Sequence, residues 1–62
     1  MKIIAIIEDD ISIGNLLEEL LTGEGYRILR AYSGTEALML LETNTPDLVR
    51  LDLMFPRGGI VF

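Results

Sequence analysis

Apolar and polar residues follow two different periods along this chain. Residues 3–7 contain no polar position and are rich in isoleucine, which is typical of a strand that is covered on both faces. From Ile13 to Leu21 the apolar residues instead recur at intervals of three and four, as they do on one face of an amphipathic helix. The chain therefore begins with a predicted strand that leads into a predicted helix.

Candidate caps mark both ends of this predicted helix. Asp10 or Ser12 can accept a hydrogen bond from a backbone N–H of the first turn. Gly23 lies where a glycine in the left-handed conformation commonly follows a helix. The helix is therefore expected to begin soon after the first strand and to end at Gly23.

Two further strands are predicted by composition. Residues 26–31 form the second, and Arg27 and Arg30 within it indicate an exposed position. Residues 48–53 form the third. Each is short enough to be a single strand of a small sheet.

A second helix is predicted between these strands. Ser33 and Glu36 have the spacing of a capping box, and leucines at helical spacing follow them. The polar residues around Pro46 end the helix, because proline disfavours helical conformation in the residue before it. Strands that alternate with helices predict an α/β fold with a parallel sheet and right-handed crossovers.

Acidic residues follow two of the predicted strands. Glu8 and Asp9 come directly after the first, and Asp52 lies near the end of the third. If the two helices cover opposite faces, the first strand lies between the other two, and the three carboxylates converge at the carboxyl edge of the sheet. Oxygen ligands with few protein donors suit Mg²⁺, which keeps several waters and binds phosphoryl oxygens.

Simpler roles compete for the same acidic residues. Asp10 is expected to cap the first helix rather than to bind metal. Glu8 and Asp9 could belong to a solvated loop, although the matching position of Asp52 favours a site. Asp47 directly follows a proline and is the better candidate for a turn residue.

Composition narrows the remaining possibilities. A chain of 62 residues forms at most one small domain with a marginal core. Because 50% of the residues are nonetheless hydrophobic, excess apolar surface and hence a partner are expected. The absence of cysteine and histidine argues against disulfides and zinc, which leaves oxygen ligands for a metal.

Charge and hydropathy also limit the partners and the compartment. The net charge of −5 argues against nucleic-acid binding by this segment, because such surfaces are basic. The sequence contains no run of 18 apolar residues that would indicate a membrane span. The apolar stretch at the amino terminus is too short for a signal peptide, and acidic residues follow it directly. The chain is therefore expected to be cytoplasmic and not bound to a membrane.

A known family combines these motifs in the same order. The apolar strand with Glu8-Asp9-Asp10, the segment Glu36-Ala37-Leu38, the segment 46–49, and Asp52-Leu53-Met54 followed by Pro56 resemble the receiver domain of two-component response regulators. The resemblance covers about residues 1–56, with residues 1–62 as one partial receiver domain. It implies a three-stranded parallel βαβαβ half of a flavodoxin-like, doubly wound fold.

The resemblance also implies a function and a site. Asp52 would accept a phosphoryl group from a histidine kinase during phosphorelay signalling, so that the domain is a phosphoacceptor rather than an enzyme. Glu8, Asp9, Asp52 and the backbone carbonyl of Met54 would hold Mg²⁺ weakly. No other cofactor is implied.

The chain departs from the family pattern in two respects. Complete receivers are about twice as long, the length of an ordinary domain, and carry a Ser or Thr and a Lys on later strands that bind the phosphoryl oxygens. Lys2, the only lysine, lies at the wrong end of the first strand to replace that Lys. Arg50 stands where the family has an apolar residue, so it either pairs with carboxylates or faces water.

These departures lead to an alternative function and an expectation about assembly. The chain is read as an amino-terminal half of a receiver, truncated or engineered, and the alternative is a self-assembling half-domain with little or no signalling activity. An exposed apolar strand edge is a template for pairing. A homodimer or larger assembly is therefore expected, with the third strand or residues 60–62 at the junction and the fold completed by oligomerisation.

Overall fold

The structure, a computed structural model, describes residues 1–52. Three strands alternate with two helices in the predicted order. Neither helix is long and apolar enough to cross a membrane, within the part of the chain that is described. The elements are β1 (Ile3–Glu8), α1 (Ile11–Gly23), β2 (Arg27–Ala31), α2 (Gly34–Thr43) and β3 (Leu48–Asp52).

The three strands form one parallel sheet in the order β2-β1-β3. The central strand β1 is the core of the molecule, and Ile4 to Ile7 are buried along it. This arrangement explains the unbroken apolar run, because a strand with neighbours on both edges and helices on both faces has no side that meets water. The parallel βαβαβ fold predicted from the sequence is confirmed.

The two helices lie on opposite faces of the sheet. Ile7 packs with Ala31 and with Ala37 of α2, which defines one face. On the other face, Arg30 of β2 reaches Glu18 of α1. Because alternate residues of a strand point to opposite faces, residues one position away from Ile7 belong to the α1 face. Glu8 is one of them.

Capping side chains explain where α1 begins and ends. Asp10 accepts a hydrogen bond of 3.0 Å from the backbone N–H of Ile13 and is therefore the amino-terminal cap, as one of the two sequence alternatives had it. α1 ends at Gly23 as expected, but the left-handed conformation predicted for Gly23 is wrong, because this residue still lies within the helix. The left-handed position is at Gly25, with φ of 94°.

The error arises from the length of the last turn. The N–H of Gly25 donates to the carbonyl of Thr22, and the N–H of Tyr26 donates to that of Leu21. These two bonds form a Schellman motif, whose left-handed residue lies beyond the cap residue. Tyr26 belongs to this turn, so β2 begins one residue later than predicted, at Arg27.

The capping box of α2 is confirmed with one change. The Ser33 hydroxyl accepts from the N–H of Glu36 at 3.1 Å. The Glu36 carboxylate in turn accepts from the N–H of Tyr32 at 2.7 Å, one residue before the usual donor. At the other end, the side-chain amide of Asn44 donates to the carbonyl of Leu40 at 2.9 Å.

Arg30 contradicts the prediction of exposure, whereas Arg27 is exposed as predicted. The Arg30 side chain retains only 11% of its accessible surface. It lies beneath α1 against Gly14, where an added Cβ would collide with the guanidinium group. Arginine can be buried there because Gly14 leaves space and because Glu18 and Asn15 both accept from its Nη1.

Large apolar side chains remain exposed on three elements of the described part. They lie on both helices and at the start of the edge strand β3, whose only partner within residues 1–52 is β1. Surface of this extent commonly marks an interaction site. The most exposed of them are Ile11, Leu16, Leu20, Leu38, Met39 and Leu48.

Candidate functional site

Acidic residues converge where β1 and β3 end. Glu8 is the last residue of β1, Asp52 is the last of β3, and the two are partners in the strand register. Adjacent strands lie about 4.8 Å apart, so the two backbones bring these carboxylates side by side. Asp9 follows immediately and is exposed beside them. The expected neighbourhood of Glu8 and Asp52 is therefore present.

Asp47 sets this register from the other end of the strands. Its N–H donates to the carbonyl of Ile3, and its carboxylate accepts from the N–H of Ile3, both at 2.8 Å. Glu8 and Asp52 each lie five residues further along their strands. The double contact is in register with the pairing of Glu8 and Asp52 and supports it. The sequence analysis predicted only a turn residue at Asp47. The signal for its role in strand pairing was its position directly before the apolar residues of β3.

Glu8 is the most unusual side chain of the site. Only 2% of the residue is exposed. One carboxylate oxygen, Oε2, accepts from the N–H of Asp10 at 3.1 Å. The other, Oε1, is fully buried and has no hydrogen-bond partner within residues 1–52. A buried acceptor without a donor lowers the stability of the folded protein. A proton or a cation bound at Oε1 would remove this unfavourable contribution.

Electrostatics point in the same direction. Burial raises the pKa of Glu8 above its ordinary value, and the N–H of Asp10 opposes this effect. The neighbouring carboxyl groups of Asp9 and Asp52 raise the pKa of Glu8 further. The cause is that negative charge is crowded in a poorly solvated place. A bound cation would relieve the same crowding.

The donor set fits a hard cation with few protein ligands. Carboxylate oxygens of Glu8 and Asp52 are neighbours, and Mg²⁺ characteristically takes one or two carboxylates and keeps its remaining waters. Within residues 1–52, however, no group of three or more acidic, histidine or cysteine side chains is arranged so that it could hold a metal. The predicted fourth ligand, the backbone carbonyl of Met54, lies outside the described residues. Asp10 serves as the helix cap.

Among residues 1–52, one basic side chain reaches the site. Nη2 of Arg50 lies 3.9 Å from Oδ2 of Asp52, and the two side chains retain 48% and 53% of their accessible surface. Both sequence alternatives for Arg50 therefore hold, since it pairs with a carboxylate and also faces water. Lys2 lies at the other end of the sheet, where its carbonyl accepts from the N–H of Arg27.

Comparison with known proteins identifies the source of this arrangement. Residues 4–60 match the family model described as the response regulator receiver domain. The uncharacterised transcriptional regulatory protein YrkP of Bacillus subtilis is 53% identical over 53 residues, which cover 86% of this chain and 22% of that protein.

Two other relatives are also named as regulators. The alkaline phosphatase synthesis transcriptional regulatory protein PhoP of Bacillus subtilis is 43% identical over 56 residues, which cover 90% of this chain and 23% of PhoP. The transcriptional regulatory protein CpxR of Klebsiella pneumoniae is 42% identical over 57 residues, covering 92% of this chain and 24% of CpxR. The chain thus spans about a quarter of the length of these relatives. Fold, acidic strand ends and family match agree, and the chain belongs to the response regulator receiver domain family.

Proposed function

We propose that this chain is a phosphoacceptor module of two-component signalling in which Asp52 receives a phosphoryl group from a histidine kinase. One observation carries the proposal: Asp52 is the register partner of Glu8, whose buried Oε1 has no partner within the described residues. A nucleophilic carboxylate thus lies beside a group that favours a cation. Phosphoryl transfer depends on this combination, because it is mostly positioning and charge neutralisation.

The transfer step is a displacement at phosphorus. An Asp52 carboxylate oxygen attacks the phosphorus of a phosphohistidine and forms an acyl phosphate P–O bond. The P–N bond breaks, and its electron pair returns to the imidazole nitrogen of the kinase. Asp52 is 53% exposed at its side chain, so the nucleophile is accessible to a second protein. The domain is the substrate that becomes phosphorylated and is not itself an enzyme.

Glu8, Asp9 and Asp52 would hold Mg²⁺ together with the carbonyl of Met54, which lies outside the described residues. When bound, this ion would neutralise charge on the phosphoryl oxygens. Glu8 contributes a fixed buried carboxylate, and Asp9 contributes an exposed one. The N–H of Asp10 binds the Glu8 carboxylate, and the contact of Asp47 with Ile3 supports the strand register from the opposite end of the sheet.

Mass spectrometry tests the proposal with the full chain. After prolonged incubation with acetyl phosphate and Mg²⁺, one phosphoryl group is expected on Asp52, and hydroxylamine should remove it because it is an acyl phosphate. Asp52→Asn should abolish the modification. Asp10→Asn is the matched control, because it removes a carboxylate from the same loop and asparagine still caps a helix. Modification of another residue, or none in the wild type, would contradict the proposal.

Exposed apolar surface favours a second candidate, a homo-oligomeric half-domain with little or no signalling activity. Leu48 and Val49 of β3 are 59% and 42% exposed on a strand that has one partner within residues 1–52. Pairing with another copy would cover this edge. Cytoplasmic location and the lack of nucleic-acid binding by this segment stay predictions.

A further inference from the structure

The strand register places an arginine directly behind the acidic site. Arg50 is the partner of Ile6, and Asp52 is the partner of Glu8, two residues further along both strands. Residues two apart in a strand point to the same face of the sheet. The Arg50 side chain therefore lies on the same face of the sheet as the carboxylates of Glu8 and Asp52. The residues paired with Ile6, Arg50 among them, are called a row of the sheet.

The sheet contains a second arginine in the same row, and its role is different. Arg30 is the partner of Ile6 on the β2 side. Its Nη1 is bound by Glu18 and Asn15 beneath α1, with a bond of 2.8 Å to the Glu18 carboxylate. Within residues 1–52, the Arg50 side chain makes no such hydrogen bond to a helix, and its Nη2 instead lies 3.9 Å from Oδ2 of Asp52. Arg50 is thus the arginine of this row that contacts the site.

We propose that Arg50 is a tethered cation that competes with a divalent metal ion for the Asp52 carboxylate and so lowers the affinity of the site for Mg²⁺. The inference rests on the proposed function, because it takes the Mg²⁺ site at Glu8, Asp9 and Asp52 as given. Because the Arg50 guanidinium belongs to the same strand as Asp52, the competing cation is always present beside this carboxylate. An ion at Asp52 meets repulsion from Arg50 or must draw the carboxylate away from it.

The partial exposure of both groups limits the size of the effect. Because the pair is solvated on one side, its interaction is that of a partly exposed ion pair and not of a buried one. Removal of the Arg50 charge should therefore tighten Mg²⁺ binding by about two- to fivefold at low ionic strength. Salt should reduce this difference, since exposed charges are screened.

The test is a Mg²⁺ titration of the full chain, followed by calorimetry and by backbone amide shifts of the site. Arg50→Gln removes the charge and keeps a polar side chain on the strand edge. Arg50→Lys keeps the charge. Arg27→Gln is the matched control, because it removes the same charge from the opposite end of the sheet, where Arg27 pairs with Ile3.

Arg50→Gln is expected to bind Mg²⁺ about two- to fivefold more tightly than the wild type at low salt, with a smaller gain at high salt. Arg50→Lys and Arg27→Gln should stay within about twofold of the wild type. Equal affinities of Arg50→Gln and the wild type, or an equal gain in Arg27→Gln, would overturn the inference. Circular dichroism checks that each variant is folded. If Arg50→Gln does not fold, Arg50→Met replaces it as the neutral variant.

Asp52→Asn separates the inference from the proposed function. If wild-type binding is lost in Asp52→Asn but Arg50→Gln changes nothing, the site stands and only the role of Arg50 fails. If Asp52→Asn leaves wild-type binding unchanged, the proposed site fails, and the inference fails with it. Binding that appears in Arg50→Gln but is too weak to detect in the wild type would support both.

Discussion

The substitution Gly14→Ala should destabilise this protein, although the same change stabilises most helices. Gly14 is a buried residue of α1, and alanine is favoured over glycine in a helix interior by about 1 kcal/mol. An added Cβ at this position would collide with Nη2 of Arg30 and would lie 2.9 Å from its Cζ. The arginine must therefore move away from the helix to make room.

The cost follows from what Arg30 loses. Its Nη1 donates to Asn15 at 3.0 Å and to Glu18 at 2.8 Å, and its Cζ lies 4.9 Å from the centre of the Tyr32 ring. Hydrogen bonds that involve a charge contribute about 1.5–3 kcal/mol. Glu18 is 44% exposed at its side chain, so we reduce the loss for solvent screening to about 2 kcal/mol in total. After the helix gain of about 1 kcal/mol, Gly14→Ala should lower the free energy of unfolding by about 1 kcal/mol.

A double-mutant cycle followed by urea denaturation checks this reasoning. In an Arg30→Ala background the collision partner is absent, so Gly14→Ala should raise the free energy of unfolding by about 0.5–1 kcal/mol. The sign of the effect therefore depends on Arg30. Gly23→Ala is the matched control, since the position is helical and no atom lies within 4 Å of an added Cβ. If Gly14→Ala is stabilising in both backgrounds, Arg30 does not occupy the space above Gly14.

Three further predictions concern the site and the assembly. The folded-state pKa of Glu8 is raised. The free energy of unfolding of the metal-free protein should therefore fall as the pH rises from about 4.5 through that pKa. Denaturation experiments with a chelator should show this pH dependence in the wild type and not in Glu8→Gln. Acetyl phosphate should modify Asp52 slowly, because Lys2, the one lysine of this sequence, lies at the other end of the sheet and cannot stabilise charge on the phosphoryl oxygens. Fast, stoichiometric modification in mass spectra would point to Arg50, Arg57 or a neighbouring chain as the source of a replacement cation. The chain should be a homodimer or larger; light scattering that returns 6.9 kDa for a cooperatively folded sample would refute this, and deletion of residues 60–62 tests whether they contribute.

The sequence predicted the fold well because the responsible forces are local and periodic. The apolar run of β1, the helical period of α1 and the capping box at Ser33 each involve neighbouring residues, and all three are present in the structure. Helix ends were less predictable. Gly23 and Gly25 are both plausible terminators, and the choice depends on which carbonyls remain to be paired after the last turn, as the bond from Tyr26 to Leu21 shows.

The burial of Arg30 was not predictable from its own strand. Composition treats an arginine in a short strand as a sign of exposure, because a buried charge without partners is costly. Here the partners come from another element, since Glu18 and Asn15 accept its hydrogen bonds and Gly14 provides the space. A prediction would have required the packing of α1 on β2 in advance.

The candidate site shows how a local pattern and a distant contact combine. The sequence indicates that acids follow two strands, but a parallel pair that slips by one residue would send Asp52 to the opposite face from Glu8. The two hydrogen bonds between Asp47 and Ile3, at the other end of the sheet, disfavour such a slip. The burial of β1 between two strands and two helices then holds Glu8 in place, with one oxygen that has no partner among residues 1–52. The chemistry proposed for Asp52 therefore depends on strand register, and Asp47, which has no role in that chemistry, supports the register from the far end of the strands.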